Sequence, residues 1–280
     1  MKFQTLFRCL PAVSAAVLLG LSAVCTAAAD EDSETIFPGD SQAEQETYTS
    51  GDYTYTLLIS AEDSSNKAVC IESYTGDEHN LVIPGELDGM PVIQLGNYAF
   101  VNMPTLETVT IPKSVLAFGN FTFAQCTNLR AYTVEAGSEF CESRDGVLYT
   151  ADGSALLRYP IGTSPQEITV PEGTVGIGNV AFSGSRTLRR VTLPDSLEYI
   201  GISAFSDCGS LNQVVIPSGV TEIPAYCFNL CRLLDTVTLP DTVTSIGIGI
   251  NLCPKVGENN ACEENAGDAE LHTGNFKFAD

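Results

Sequence analysis

The sequence contains no tryptophan and is poor in positive charge. It has 13 Lys and Arg residues against 35 Asp and Glu residues, which gives a formal net charge of −22. Surfaces that bind nucleic acids or anionic membranes need clusters of basic residues. The scarcity of lysine and arginine therefore argues against a nucleic-acid partner and against an anionic membrane surface.

Histidine is also scarce, since the chain has only two, His79 and His272. The sequence contains no H-E-x-x-H, G-x-S-x-G or G-K-[ST] motif, so the common metalloprotease, hydrolase and phosphate-loop signatures are missing. Cys227 and Cys231 have a spacing that zinc sites use, but neither histidine falls near them. We predict that the protein is not an enzyme and that it uses no metal and no cofactor.

Long hydrophobic runs are limited to one segment, Leu10–Val24, which follows two basic residues. Its length and its small residues are typical of a secretory signal peptide rather than a membrane-spanning helix. Small residues up to Ala29 predict a signal peptide over residues 1–29 with cleavage after Ala29. Lipidation at Cys25 is the alternative. In either case we expect a secreted or cell-surface protein with no membrane insertion of the mature chain.

A regular period is the main feature that the sequence does contain. Prolines that follow an apolar residue recur every 23 residues, at Pro171, Pro194, Pro217 and Pro240. Ile-Gly pairs and phenylalanines keep the same step. A fixed period of 20 to 29 residues with apolar positions in register indicates a leucine-rich-repeat solenoid. We predict about six coils of 23 residues.

Each repeat begins with a short β-rich segment. In one copy, Leu211, Val214 and Ile216 are expected to point inward, while Asn212 and Gln213 point outward. Proline then ends the strand because it has no N–H group for the ladder. Stacked coils of this kind bury a continuous core and align their strands into a parallel β-sheet on one face. The glycine after isoleucine suits a tight turn or a close approach of two backbones.

The repeat IP-x-x-V-x-x-IG-x-x-AF-x-x-C-x-x-L closely resembles the BspA-like (Treponema-type) leucine-rich repeat. Copies such as LPDSLEYIGISAFSDCGSLNQVVI carry the resemblance, which covers about residues 52–256. It implies a secreted or surface protein of a host-associated bacterium. It also implies a role in protein–protein interaction, in particular adhesion to host or neighbouring-cell proteins.

The period and the composition divide the chain into segments. Residues 30–51 are acidic and polar, and we predict a flexible spacer. Residues 52–80 read as a β-hairpin that caps the N-terminal end of the solenoid, which spans 81–256. A hairpin insertion at about 136–165 interrupts the period. Residues 257–280 form a polar C-terminal tail.

Three of the ten cysteines, Cys126, Cys208 and Cys231, occupy the same slot of the repeat. Methionine and serine fill this slot in other copies, which indicates a small packing position that faces inward. We therefore predict buried free thiols there rather than a ladder of disulfides. Cys253 and Cys262, near the C-terminal end, form the more plausible bridge.

The outward side of the predicted sheet is the first candidate binding surface. Its positions are mostly small and polar, and the candidate contact residues on it are Arg130, Arg189, Arg190, Asn212 and Gln213. Arginine is favoured at interface anchors. The alternative is a solvated face on which these arginines pair locally, for example with Glu167 one coil earlier.

The hairpin insertion is the second candidate surface, because insertions in solenoids often form loops on the binding side. Tyr149 and Tyr159 are its candidate contact residues, and the alternative is a structural irregularity. We expect a protein ligand, for instance a host extracellular or cell-surface protein. A glycan-binding or accessory module and a passive surface spacer are the other functions considered. The oligomeric state stays open.

Overall fold

A computed structural model describes residues 46–59 and 65–249, together with the backbone of residues 276–278. The predicted signal peptide, most of the predicted spacer, and Cys253 and Cys262 lie outside these residues. The described chain is a β-solenoid of about eight turns with a spacing of about 23 residues. This confirms the predicted fold class.

The strands fall into an N-terminal half, an insertion and a C-terminal half. The N-terminal strands are β1 (Thr47–Ser50), β2 (Tyr53–Ile59), β3 (Lys67–Tyr74), β4 (Asn80–Val82), β5 (Glu86–Leu87), β6 (Met90–Leu95), β7 (Thr108–Ile111), β8 (Ala117–Phe118) and β9 (Ala131–Val134). The insertion contains β10 (Cys141–Arg144), β11 (Val147–Thr150) and β12 (Ala155–Arg158), followed by a 3₁₀ turn (Ile161–Thr163). The C-terminal strands are β13 (Glu167–Thr169), β14 (Gly176–Ile177), β15 (Arg190–Thr192), β16 (Tyr199–Ile200), β17 (Gln213–Val215), β18 (Glu222–Ile223), β19 (Thr236–Leu239), β20 (Ser245–Ile246) and β21 (Phe276–Phe278).

The predicted sheet face is present, but it is divided into two parallel sheets. The N-terminal front sheet has the strand order β4-β7-β9, and the C-terminal front sheet has the order β13-β15-β17-β19-β21. Neighbouring repeat strands are 23 residues apart, as in the pairing of Ile168 with Val191. The exceptions are at the ends of the two sheets, where Leu81 pairs with Val109 and Val237 pairs with Phe276. Val191 and Val214 are buried between exposed neighbours in β15 and β17, which confirms the predicted alternation.

A second wall, which the repeat pattern did not reveal, runs along the opposite side of the coil. It consists of two-residue strands that end at an isoleucine, namely β14, β16, β18 and β20. A glycine follows this isoleucine in all of them except β18, which is followed by Pro224. These strands also pair in parallel, one coil to the next. Coils joined by such pairs are therefore fixed to each other on two sides, whereas β16 and β18 do not pair.

Stacked phenylalanines fill the space between the two walls. The ring centroids of Phe182 and Phe205 lie 5.2 Å apart at an interplanar angle of 5°, and those of Phe205 and Phe228 lie 5.6 Å apart at 8°. Phe100 and Phe123 form a matching pair in the N-terminal half. All but Phe123 of these side chains are fully buried. Offset stacking at these distances stabilises aromatic pairs beyond the burial of their area.

The N-terminal cap agrees with the prediction and is larger than predicted. β2 and β3 pair in an antiparallel hairpin, and β3 continues into a parallel pairing with β6. β1 adds a further antiparallel strand over residues 47–50, so the last part of the predicted spacer is a strand. The reason is its alternation of threonine and tyrosine, both of which favour extended backbone.

The hairpin of β11 and β12 does not protrude, and here the prediction needs correction. Leu148 and Leu157 belong to the N-terminal core, whereas Tyr149 and Leu156 belong to the C-terminal core. The two faces of this hairpin thus close the ends of two separate cores. We call β11 and β12 the partition hairpin. Its near-continuous apolar sequence is typical of strands that are buried on both faces.

The C-terminal front sheet extends beyond the last repeat. β21 pairs in parallel with β19, and Val237 is the register partner of Phe276. The predicted polar tail at 257–280 therefore contributes one strand to the sheet. No helix in the described part of the chain is long and apolar enough to cross a membrane.

Close contact between neighbouring coils explains the glycine after isoleucine. A Cβ atom on Gly201 would lie 2.3 Å from the backbone nitrogen of Asn179, and one on Gly119 would lie 2.4 Å from the nitrogen of Asn97. Neither nitrogen can move away without disturbing the hydrogen bonds between coils. In one of these bonds, the Gly201 N–H donates to the Ile177 carbonyl. These positions have no room for any side chain.

The thiol slot is a second point of contact between coils. Cys208 Sγ donates a hydrogen bond to the Phe182 carbonyl (3.3 Å), and Cys231 Sγ donates to that of Phe205 (3.0 Å). Cys126 does the same with Phe100 (3.0 Å). All six described cysteines are free and buried, which confirms the prediction for the repeat slot. Burial raises the pKa of the Cys126 thiol to about 11.

Replacing the glycine at the close approach tests whether coil spacing is set there. We expect Gly201→Ala to lower the free energy of unfolding by about 3 kcal/mol, because the new methyl group overlaps backbone that cannot relax freely. Gly209→Ala is the matched control, since a Cβ atom there meets nothing within 4 Å. Urea unfolding followed by circular dichroism measures both, and equal stabilities for the two variants would contradict the account.

Alanine substitutions at the thiol slot should change the free energy of unfolding in opposite directions in two neighbouring coils. The Ser185 hydroxyl is buried and has no hydrogen-bond partner among the described residues. Ser185→Ala should therefore raise the free energy of unfolding by about 1 kcal/mol. Cys208→Ala should lower it by about 1–2 kcal/mol, because it removes a hydrogen bond and leaves a void. The same urea titration measures both changes, and a loss of stability in Ser185→Ala would be the contrary result.

Candidate functional site

The C-terminal front sheet presents the predicted contact residues to solvent. Arg189, Arg190, Asn212 and Gln213 are all exposed. Arg190 and Gln213 are register partners on β15 and β17, and the backbone N–H of Asn212 donates to the Arg189 carbonyl. Four of the five sequence-predicted residues of this face therefore lie together.

Arg130 lies apart from these four residues. It directly precedes β9 in the N-terminal front sheet, where its backbone N–H donates to the Glu107 carbonyl (2.8 Å). No strand pairing joins β9 to β13, because β10 and β11 lie against β9 at this point. The chain thus offers two separate front surfaces, and the C-terminal one carries most of the candidate residues.

The arginines of the C-terminal front sheet differ in their pairing. Arg190 Nη1 lies 3.1 Å from Glu167 Oε1, which is the local pairing considered above as the alternative. Arg186 donates two hydrogen bonds to Asp207 Oδ2, at 2.9 and 2.7 Å. The Arg189 side chain makes no ion pair with any residue that the structure describes. Arg189 is therefore the cation of this cluster that is free to contact a partner.

The ladder of the C-terminal front sheet opens between β15 and β17. β13 and β15 share three register pairs, as do β17 and β19, but β15 and β17 share only the pair of Arg190 with Gln213. A groove of about 310 Å³ lies at this opening. Its lining consists of Arg190, Val191, Thr192, Leu193, Asp195, Gln213, Val215 and Pro217. We call it the front groove.

The front groove combines an apolar wall with polar edges. Val215 is 56% exposed, and it lines the groove together with Thr192. Arg190 and Asp195 supply charges of opposite sign. An apolar surface with a few polar groups is the usual composition of a recognition site. The sequence predicted Arg190 and Gln213 here, but not the groove, because the opening depends on how two strands splay.

Tyr149 and Tyr159 do not lie on a contact surface, so their placement corrects the expectation of an exposed hairpin. Tyr149 is only 5% exposed and packs in the C-terminal core. Tyr159 is half-buried and stacks on Phe182 with a centroid distance of 5.3 Å. Tyr159 takes the place of a repeat phenylalanine. Neither tyrosine enters the proposed binding surface.

Arg158 is a residue that the sequence interpretation missed. It ends β12 and is 9% exposed. Its guanidinium donates to carbonyls on both sides of the partition hairpin, at Gly119 (2.9 Å) and Asn179 (2.7 Å). The sequence does contain a signal for Arg158. This arginine stands directly before Tyr159, at a repeat position that small residues occupy in the other copies.

The described residues hold no group of three or more potential metal ligands. Cys227 and Cys231 are buried free thiols, and burial raises the pKa of the Cys227 thiol well above its ordinary value. His79, the one described histidine, is exposed and lies 3.6 Å from Glu107. A buried thiol that stays protonated, as that of Cys227 does, is a poor metal ligand and a poor nucleophile.

Several solved structures resemble the chain. A T. pallidum Leucine Rich Repeat protein is 26% identical, with 74% of this chain and 89% of that chain covered and a TM-score of 0.43. A leucine rich cell surface protein from Faecalibacterium prausnitzii is 23% identical, with 75% of each chain covered and a TM-score of 0.38. The Pneumococcal vaccine antigen PcpA is 15% identical, with 74% and 86% covered and a TM-score of 0.39. No curated protein matches the chain.

A family profile matches the two parts of the chain that contain the repeats. The profile described as "BspA type Leucine rich repeat region" matches six copies, over residues 87–144 and 161–251. The gap between these two ranges contains the partition hairpin. Leucine-rich-repeat solenoids of this kind generally serve as scaffolds that bind proteins. Since the profile matches more than half of the sequence, the chain belongs to the BspA-type leucine-rich-repeat family.

Proposed function

We propose that the protein is a secreted or cell-surface scaffold that binds another protein through its C-terminal front sheet, and that this binding mediates adhesion to host or neighbouring-cell proteins. The observation that carries the proposal is the front groove, an opening in an otherwise regular ladder with Arg189 beside it. A signal peptide over residues 1–29 is part of the same proposal. One structural neighbour is described as a cell surface protein, which supports this location.

Shape and charge favour a protein partner. The front sheet is a broad surface of small polar side chains, and the front groove adds the exposed Val215 and the aliphatic wall around it. Arg189 adds a charge that no described residue neutralises. A partner segment with an apolar side chain and a neighbouring carboxylate matches this arrangement, because arginine–carboxylate pairs at interfaces gain strength when water is excluded.

A glycan ligand fits the same surface less well. Sugar-binding sites usually present exposed aromatic rings, and the exposed positions of β13, β15 and β17 are threonine, glutamate, arginine, glutamine and valine. The two tyrosines expected to serve this role are packed against the core. A glycan-binding module, a passive spacer and a non-enzymatic accessory role remain the other outcomes of the test below.

The test uses the chain from Asp30 to Asp280 on an array of extracellular-matrix proteins, cell-surface proteins and glycans. We expect the wild-type chain to bind at least one protein. The variant Arg189→Glu/Arg190→Glu should bind it at least about tenfold more weakly, as for loss of an interfacial arginine. Surface plasmon resonance on the identified partner measures the difference.

Arg232→Glu is the matched control, because Arg232 is exposed but lies outside the front sheet. Its affinity should equal that of the wild type, and circular dichroism should show the same fold for all three proteins. Equal affinity of the double variant would refute the front-sheet site. Binding to glycans alone would favour the glycan module, and no binding to any target would favour the spacer.

A further inference from the structure

A small cavity marks the place where the aromatic stack is interrupted. Phe123 stacks on Phe100, and Tyr159 stacks on Phe182, but Phe123 and Tyr159 do not stack on each other. Tyr132 instead meets Phe123 edge-on. The gap is partly open to solvent and leaves about 30 Å³ for the centres of water-sized spheres, which is enough room for a water molecule or a small ion.

The cavity is lined by a buried cation. The Arg158 guanidinium donates to the carbonyls of Leu157 (2.8 Å) and Asn179 (2.7 Å) through Nη1, and to that of Gly119 (2.9 Å) through Nη2. A guanidinium carries five N–H donors. The other two make no hydrogen bond within the described part of the chain. The remaining lining is mostly aromatic and aliphatic, with Tyr132, Tyr159 and Val180 among its members.

The charge on Arg158 has no counterion among the residues that the structure describes. No carboxylate of a described residue forms an ion pair with it. Burial lowers the pKa of Arg158 only to about 10, so the side chain is a cation at neutral pH. Carbonyl dipoles compensate part of the cost of burying a charge, but an unpaired buried ion is strongly disfavoured.

We propose that this cavity binds one small monovalent inorganic anion of the size of chloride, held by Arg158 and enclosed by Tyr132 and Tyr159. Burial raises the pKa of Tyr132, so its phenol is protonated and can donate a hydrogen bond but not repel an anion. Water lacks the charge that would neutralise the guanidinium.

An anion at this place has a structural consequence. Arg158 joins a carbonyl of the coil before the partition hairpin to a carbonyl of the coil after it. A bound anion stabilises the charged guanidinium in this bridging position, and it binds only the folded chain. Stability should therefore rise with the anion concentration by mass action.

Thermal unfolding in chloride tests the proposal with the full chain. Sodium chloride replaces sodium gluconate at constant ionic strength, so that general screening does not change. The wild-type Tm should rise by about 3–5 °C for each tenfold increase in chloride above its Kd. Arg158→Met should lose this dependence, while Arg190→Met, which removes an exposed arginine, should keep it.

Two further measurements test the anion site if Arg158→Met fails to fold. Ala124→Leu places a side chain into the cavity lining without removing the cation, and it should abolish the dependence of Tm on chloride. A crystal of the wild-type protein soaked in bromide should show an anomalous peak beside Arg158. A chloride-independent wild-type Tm, or ordered water and no bromide at this place, would overturn the proposal.

Discussion

Neighbouring coils of this solenoid approach each other at the distance of paired β-strands, about 4.8 Å, and the rest of the structure depends on this spacing. Where the backbones come closest, only glycine fits, as at Gly119 and Gly201. The same spacing allows the phenylalanine rings to stack and brings each repeat thiol to the carbonyl of the preceding coil. One geometric constraint thus selects the glycine, the phenylalanine and the cysteine of the repeat.

The turns of each coil meet this constraint at a conformational cost. Tyr226 (φ 58°) and Leu230 (φ 59°) adopt left-handed backbone conformations, and equivalent residues do so in other coils. Such conformations cost L-residues about 1–2 kcal/mol each. Their recurrence in register shows that hydrogen bonds between coils, such as that from Tyr226 N–H to the Ile248 carbonyl, outweigh the local strain.

The partition hairpin covers the apolar surfaces that are left where the period breaks. The N-terminal and C-terminal cores would each expose an apolar end at this point, and the two faces of β11 and β12 cover both. Arg158 then connects the coils on either side by hydrogen bonds to their carbonyls. The front sheet, in contrast, is interrupted here, which leaves the C-terminal front sheet as a separate surface.

Sequence periodicity predicted much of this architecture. It predicted the inward and outward residues of the front strands, which follow from one repeat considered alone, and the free thiols, which follow from comparing one slot across the copies. The hairpin cap was predicted from two β-rich runs that precede the first repeat. The second wall was missed because a two-residue strand is too short to show the alternation of apolar and polar residues by which strands are recognised. The role of the partition hairpin was also missed, because burial on both faces depends on the coils that flank it. The same applies to Tyr149, Tyr159 and Arg158.

The candidate site was predictable in its residues but not in its shape. The outward positions of Arg190 and Gln213 follow from strand alternation, and Arg189 and Asn212 directly precede these two strands. The front groove arises because β15 and β17 share a single register pair, and no sequence rule predicts such an opening. Which arginine is free also depends on geometry, since Glu167 reaches Arg190 and not Arg189.

The account rests most directly on the claim that the partition hairpin joins the two cores into one cooperative unit. The buried thiols test this without any substitution, because Cys126 lies in the N-terminal core and Cys208 in the C-terminal core. A pulse of alkylating reagent at increasing urea concentrations, followed by peptide mass spectrometry, reports the unfolding of each core separately. The account predicts one common urea midpoint for both thiols. Two separate midpoints would show that the cores unfold independently and would contradict it.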